Sequence, residues 1–351
     1  MEKTPVYTII PKFQTDSVPI YYGLEIISTG TQSVSNVTAN FNVYNNNSPI
    51  SSFNSDSLSS LPSGDTAILY SNTPFQPQST GIYSIDFSAS SDQVISSNNL
   101  YRYIEISDTV YAMDNSGISG NPWGVATNCG GQQLMNLFEI SNGTSLNSIS
   151  THISYNSVIG TPIYASIYFL DTVSGNFNLI HRSSDYYIDS NDIENWKLIN
   201  LDSSIVVGSG IYGAAVGGYQ DSSNIFSINV SGLATSPYCR IQDNGCGLGN
   251  QANGYWYELY EIPMIRLNLI PQGVVFGCTD TASVNYNPNA NQDNGTCAYN
   301  VTFNVDANIE FLNNGFSNYY VQLFSTGGMN QFYDPSLAQP GTFAMTDSNS
   351  D

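Results

Sequence analysis

Short segments rich in Val, Ile, Tyr, Phe and Thr, each bounded by Gly, Asn, Ser or Pro, recur along this chain, and long apolar runs at helical spacing are missing. β-Branched and aromatic side chains suit a pleated, half-buried surface, and the turn residues between them interrupt the chain too often for helices. Ile163-Tyr164-Ala165-Ser166-Ile167-Tyr168-Phe169 alternates with a period of two and predicts a strand with one buried face. With 25 Tyr and 16 Phe in 351 residues, the predicted class is all-β.

The segments fall into groups. Over residues 1–108, strands are expected at 6–13, 20–28, 34–44, 51–58, 65–70, 81–89 and 100–107, the spacing of an immunoglobulin-like β-sandwich without its Cys…Trp…Cys pin. Over 109–271 they are expected at 134–140, 146–154, 162–171, 178–188, 196–203, 210–217, 225–230 and 255–269, the count of a two-sheet jelly roll. A helical turn is expected at 190–196, capped by Ser190, with Ile193 and Trp196 turned inward. Residues 272–299 read as a small disulfide-closed, Asx-rich linker module, and 300–351 as the start of a further β-sandwich. The join near residue 108 has almost no linker, which predicts tandem sandwiches in a stiff arrangement.

Seven Lys and Arg against 28 Asp and Glu give a net charge of −21, which repels phosphate backbones and anionic bilayers. Nucleic acid is not an expected partner. Nor is direct membrane insertion, because no apolar run approaches the roughly 18 residues of a crossing helix. Only 10% of residues are charged, so the polar surface is mostly Ser, Asn, Thr, Gly and Gln. Met1-Glu2-Lys3 runs into strand-like sequence without a secretory leader, and the chain stops at Asp351 inside a strand-like pattern. A section of a longer polypeptide is expected.

In residues 277–297, GCTDTASVNYNPNANQDNGTC, two cysteines bound a loop with almost no apolar content. Such a loop cannot build its own core, and a Cys278–Cys297 bridge would remove unfolded-chain entropy worth about 3 kcal/mol in the loop-closure model. Asn285, Asn287, Asn289, Asn291 and Asp293 recur at every second position, with Asp280 upstream. Either Asp280, Asn287, Asn289, Asn291 and Asp293 offer oxygens to a hard cation such as Ca2+, or these side chains cap successive Asx turns. Cys239 and Cys246, closing the Gly-containing turn RIQDNG, are expected to form a second bridge and leave Cys129 odd. A bridge from Cys129 to Cys239 or to Cys246 is the alternative.

The 277–297 stretch resembles the GCTD-x-x-A-x-NYNP-x-A-x-x-D-x-G-[ST]-C module of secreted and surface proteins of Bacteroidetes. It departs at Asp293-Asn294-Gly295, where the module carries one more carboxylate. The order Ser28-Thr29-Gly30, Leu61-Pro62-Ser63-Gly64-Asp65, Gly81-Ile82-Tyr83-Ser84-Ile85, Asp92, Asn98-Asn99 is similar to the CARDB type of bacterial adhesion-related Ig-like domain, with Thr29 near the usual Asn. Asp192-Ile193-Glu194-Asn195-Trp196 and Pro263-Met264-Ile265-Arg266-Leu267-Asn268 look like parts of a jelly-roll module found beside sorting domains in Bacteroidetes secreted proteins. Asn300-Val301-Thr302-Phe303-Asn304-Val305-Asp306 resembles the opening of a starch-binding-like sandwich, though Phe324-Ser325-Thr326-Gly327-Gly328-Met329 replaces that family's FNGW motif. Six Asp-[Ser/Thr]-aliphatic tripeptides look like the acceptor motif of Bacteroidetes O-glycosylation, which implies glycans on Ser17, Ser57, Thr66, Thr109, Thr172 and Thr281. Together these resemblances imply an exported extracellular or cell-surface protein, handled by type IX secretion machinery through a region outside these residues.

Catalytic signals are poor. His152 and His181 lie in separate strands outside any H-E-x-x-H spacing, no G-x-S-x-G elbow occurs, and Cys129 has no identifiable His partner. No enzyme activity is expected. Jelly rolls hold glycans on exposed aromatics, and Trp123, Trp196, Tyr255, Trp256, Tyr257 and Tyr260 are available. Alternation sends Tyr255 and Tyr257 one way and Trp256 the other, so Trp123, Tyr255 and Tyr257 are the expected carbohydrate-binding set and Trp196 and Trp256 expected core. The expected function is a non-catalytic stalk or adhesin-type segment, giving spacing or surface assembly, with surface glycans or other copies of surface proteins as partners. The alternatives are a carbohydrate-binding accessory region of a secreted hydrolase, and an extracellular or viral fibre component.

Overall fold

The computed structural model describes residues 7–15, 20–93, 100–124, 131–219, 225–234, 237–245, 247–249, 253–271, 273–274, 276–293, 295–300, 319–322 and 342–345. The chain is all-β, built of sandwiches, and among the described residues the only helix is the single turn Lys12–Thr15. It divides into two compact units, Met1–Val274 and Val275–Asp351.

In the first sandwich, strands Ile9–Pro11, Leu100–Ser107, Gly81–Ser90, Val34–Asn45 and Ser48–Asn54 form one sheet in that order, and Gly23–Ile27 pairs with Thr66–Tyr70 in the other. Alternation along Val34–Asn45 buries Val37, Ala39, Phe41 and Val43, each at most 1% exposed, and the last three meet Tyr22, Ile85 and Ile104 in one core. Asn46 and Asn47 take φ of 47° and 64°, the conformation of a two-residue hairpin turn whose twist matches the flanking strands.

The second sandwich sets a large sheet against a small one. The large sheet runs Phe177–Arg182, Pro162–Leu170, Gly210–Gly218, Gln133–Ile140, Cys239–Asp243, Tyr255–Glu258, and Tyr186–Tyr187 also pairs with Pro162–Leu170. Facing it are Trp196–Val207, Thr144–His152, Ile265–Pro271 and Val110–Tyr111. Phe138, Ile149, Ile163, Ile167, Leu201 and Leu267 are fully buried between them. Gly217 is small for a reason visible in its neighbours: a Cβ there would come within 2.6 Å of Gln133 Cγ and 2.8 Å of the Tyr164 ring.

Several local expectations change, and the single strand expected at 255–269 is three, Tyr255–Glu258, Glu261–Pro263 and Ile265–Pro271, in different sheets. The strand expected at 6–13 shortens to Ile9–Pro11, parallel to Leu100–Ser107, and ends in the helical turn Lys12–Thr15. Its flanks leave the first sandwich altogether. Tyr7 is 2% exposed inside the second core, with ring centroids 4.4 Å from Tyr111 and 6.0 Å from Phe138. Its hydroxyl donates to the Leu137 carbonyl at 3.2 Å and accepts the Glu139 N–H at 2.9 Å, and burial pushes it well above an ordinary phenol pKa. Gln14 Oε1 accepts the Ser141 and Asn142 N–H groups at 2.9 and 3.1 Å. Segment 7–15 therefore straps the two sandwiches together.

The turn expected to close a Cys239–Cys246 bridge is instead the strand Cys239–Asp243, seated between Gln133–Ile140 and Tyr255–Glu258. In that register Cys239 lies opposite Asn136 and faces the core as a free, fully buried thiol, so the expected Cys239–Cys246 disulfide is not formed. Burial raises that thiol to about 12, which keeps it protonated and inert. Cys129 and Cys246 lie outside the described residues. At 190–196 there are turns, not a helix, and the cap is Asp189 rather than Ser190: its Oδ1 accepts the Asn191 N–H at 2.6 Å.

In the second unit Phe276–Gly277 pairs in parallel with Gln292–Asp293, and Cys278–Cys297 is a disulfide with Cα atoms 4.8 Å apart. Tyr319–Gln322 pairs antiparallel with Thr342–Met345. Residues 301–318, in which the further sandwich was expected to open, lie outside the described residues.

Candidate functional site: an aromatic groove at the sheet edge

Tyr255–Glu258 is the last strand of the large sheet, paired to Cys239–Asp243 with Ile241 opposite Tyr257 and Gln242 opposite Trp256. Side-chain alternation sends Trp256 to the outer face, where its ring packs on Tyr168 at 5.1 Å and Phe177 at 5.9 Å. Tyr257 turns the other way, onto the rim of the main core. The Tyr257 hydroxyl occupies the space a Cβ on Gly249 would need, so glycine there lets the preceding loop close over the ring.

Trp123 arrives from a separate part of the chain. It sits on the two-residue strand Trp123–Gly124, held by pairing with Ser227–Ile228, and its indole N–H donates to Glu261 Oε2. Glu261 is itself fixed on Glu261–Pro263, which pairs with Val230–Leu233. Trp123, Tyr257, Tyr260, Leu233, Leu248 and Glu258 together with Glu261 line an open groove of about 480 Å3. Tyr260 and Leu233 stand 72% and 75% exposed at its rim, apolar surface of the kind that marks a contact site. Aromatic faces beside carboxylates suit a ligand that offers both C–H surfaces and hydroxyl donors.

Of the expected carbohydrate-binding set, Trp123 and Tyr257 are brought together. Tyr255 stands 48% exposed outside the groove lining, edge-on to the Tyr257 ring at 4.8 Å. Glu258, Glu261, Leu233 and Leu248 were not singled out from the sequence. The signal for Glu261 was present, because Tyr257, Leu259 and Glu261 continue one period-two face through the break at Tyr260. Trp196, expected in the core, instead lies half-buried under the Arg266 guanidinium at 3.8 Å and against His152 at 5.4 Å. That cluster is internally satisfied: Arg266 donates to Asp114, Asn229 Nδ2 meets His152 Nδ1 at 3.0 Å, and burial lowers the His152 pKa.

In the cysteine-closed loop the Asx oxygens face nearby donors. Asp280 Oδ1 accepts the Ala282 N–H at 2.9 Å and Oδ2 the Tyr299 hydroxyl at 2.6 Å, which together hold its carboxyl below the usual range. Asn287 Oδ1 accepts the Asn289 N–H and Asp293 Oδ1 the Gly295 N–H, both at 3.0 Å. Asn289 and Asn291 are exposed. Among the described residues no group of three or more His, Cys, Asp or Glu is gathered as a metal site.

Of the expected O-glycan acceptors, Ser57, Thr66, Thr172 and Thr281 are exposed and Thr109 is half-buried; Ser17 lies outside the described residues. At two of these tripeptides the Asp builds the turn that presents the hydroxyl. Asp171 Oδ1 accepts the Val173 N–H, as Asp280 does that of Ala282.

No family model matches the chain, and no curated protein matches it. A crystal structure of a two-domain protein of unknown function from Bacteroides fragilis is similar over 61% of this chain and 83% of that one, at 8% identity and a TM-score of 0.19. A likeness at that score carries no argument about fold or activity.

Proposed function

We propose that the chain is a non-catalytic, adhesin-type segment of an exported surface protein, in which two docked β-sandwiches present the Trp123–Tyr257–Tyr260 groove to a glycan. The observation that carries this reading is the groove itself: an indole, two phenol rings and two carboxylates meet around an open space of about 480 Å3 at a sheet edge. Strapping by segment 7–15 supports a stiff presentation of that groove. Location outside the cell or on its surface, export by a type IX route and O-glycans at the exposed Asp-[Ser/Thr] sites rest on the resemblances to Bacteroidetes surface modules.

A glycan array probed with the full chain, followed by calorimetry on the best hit, tests the reading. Stacking on one aromatic is worth about 1 kcal/mol or somewhat more, so Trp123→Ala or Tyr260→Ala should each weaken binding roughly five- to tenfold. Absence of any hit above background, or variants that bind as tightly as the parent, would sink it.

A further inference from the structure

A second cavity, also of about 480 Å3, lies where segment 7–15, the first sandwich and the second sandwich meet. Its walls are mostly aliphatic, with Ile10, Ile20, Ile104, Ile140 and Ile211 among them, and Tyr111 at one side. Two polar groups in this lining lack a close partner among the described residues. Tyr22 is only 6% exposed, and its hydroxyl oxygen is buried without a hydrogen-bond partner among the described residues. A buried O–H left unpaired costs about 1–3 kcal/mol, so such a group calls for an explanation.

The other is Arg102. It sits opposite Ile85 in the sheet register and on the same strand face as Ile104 and Ile106, a position that turns it toward the core side. Its one hydrogen bond among the described residues is a long 3.5 Å contact from Nη2 to the Tyr7 carbonyl, and no carboxylate pairs with it there. Arg182, Lys197, Arg240 and Arg266 each have a carboxylate partner. Two other polar groups of the lining are engaged elsewhere, since Glu139 accepts the Tyr238 hydroxyl and Gln14 Oε1 accepts the Ser141 and Asn142 N–H groups. Arg102 is exposed and lines this partly open cavity, where the protein packed around it lowers its pKa and Tyr22 couples to it electrostatically.

We propose that this cavity binds a small apolar monocarboxylate, its carboxylate received by the Arg102 guanidinium and the Tyr22 hydroxyl and its hydrocarbon part lodged among the isoleucines. The volume falls in the range of small-molecule sites, and the lining matches their usual pattern of apolar walls with few convergent donors. A guanidinium fork is suited to a carboxylate, and charge-assisted hydrogen bonds are the strong kind. Most of the chain's net charge of −21 acts on an anion at long range, where salt screens beyond about 8 Å, and the one carboxylate in the lining, Glu139, accepts the Tyr238 hydroxyl.

Calorimetry and thermal-shift titration of the full chain with decanoate, 3-phenylpropionate and 1-decanol test this. Saturable single-site binding is expected for at least one of the two acids, alkyl or aryl, with decanol at least about tenfold weaker for want of the charge. Arg102→Gln should weaken the acid about tenfold or more, and Tyr22→Phe by a smaller factor of roughly three to ten. Ile211→Trp, which fills the cavity from the second-sandwich strand Gly210–Gly218 and leaves both donors in place, should abolish binding while near-UV circular dichroism stays native. The proposal is overturned if neither acid binds, if decanol binds as well as decanoate, or if a folded Arg102→Gln variant binds unchanged.

Discussion

Asp114 is fully buried in the second sandwich and accepts three N–H groups: Arg266 Nε at 2.9 Å, Arg266 Nη2 at 2.6 Å and the Ser116 backbone at 3.0 Å. Asp114→Ala leaves the guanidinium, itself 16% exposed, with the Ser116 hydroxyl at 2.7 Å and the Trp196 face at 3.8 Å. Removing one partner of a buried pair costs about 3–5 kcal/mol because the other charge stays uncompensated, and the Trp196 stack places this case near 3 kcal/mol. For a sandwich of this size, that is a fall in Tm of roughly 6–12 °C. Tryptophan fluorescence on the full chain is the assay, since Trp196 is part of the stack and reports the transition of its own sandwich even if the domains melt separately. Asp114→Leu combined with Arg266→Met removes both charges and should cost less than Asp114→Ala alone. A fall of under about 2 °C for Asp114→Ala, or a double variant worse than the single, would refute the reasoning that a buried, charge-compensated pair stabilises this sandwich.

The native chain should leave Cys239 unlabelled by a thiol reagent and expose one reactive thiol per chain only on denaturation without reductant; labelling in the native state would contradict its burial. With Cys239 committed to the core, the pairing that remains from the sequence is Cys129 with Cys246, and non-reducing peptide mapping should return that cross-linked peptide beside Cys278–Cys297. At Asp192, burial pushes the carboxyl up, but the Tyr186 hydroxyl at 2.6 Å, the Asp189 N–H at 2.8 Å and Lys197 at 3.3 Å outweigh it and hold the group low. Its contribution to stability is then complete above about pH 4 and lost as pH falls through the folded value, so Tyr186→Phe should move acid unfolding to higher pH; an unmoved midpoint would show that the hydroxyl contributes nothing. Chelation with EDTA should shift the melting of the Cys278–Cys297 loop by no more than about 1 °C, because Asp280, Asn287 and Asp293 already accept hydrogen bonds, whereas a saturable rise with Ca2+ would mean those oxygens are shared with a cation.

The strands that alternate cleanly were readable from sequence. Val37, Ala39, Phe41 and Val43 announce a buried face, and no other arrangement of that segment hides them all. Cys239–Asp243 was not readable, because its outward Arg240 and Gln242 and the following Asn244-Gly245 look like a turn, and only the neighbours Gln133–Ile140 and Tyr255–Glu258 make it a strand. Tyr7 illustrates a different gap. Periodicity marks it as buried but carries no information about which of two cores receives it. In the groove, Trp123 and Tyr257 could be named one by one, yet their meeting depends on a two-residue pairing with Ser227–Ile228 that is too short to leave a pattern.

The anchorage of Tyr7 also sets the load path through the chain. Tension entering at Tyr7 passes at once to Leu137 and Glu139, and through the Thr8 and Ile9 N–H groups to the Ala112 carbonyl, without running along the strands of the first sandwich. Everything from 20 to 107 then hangs beside the force line rather than within it. While Tyr7 and Gln14 hold, the first sandwich adds bulk and surface but no length along that line; it enters in series only after both contacts are lost, which also takes Tyr7 out of the second core.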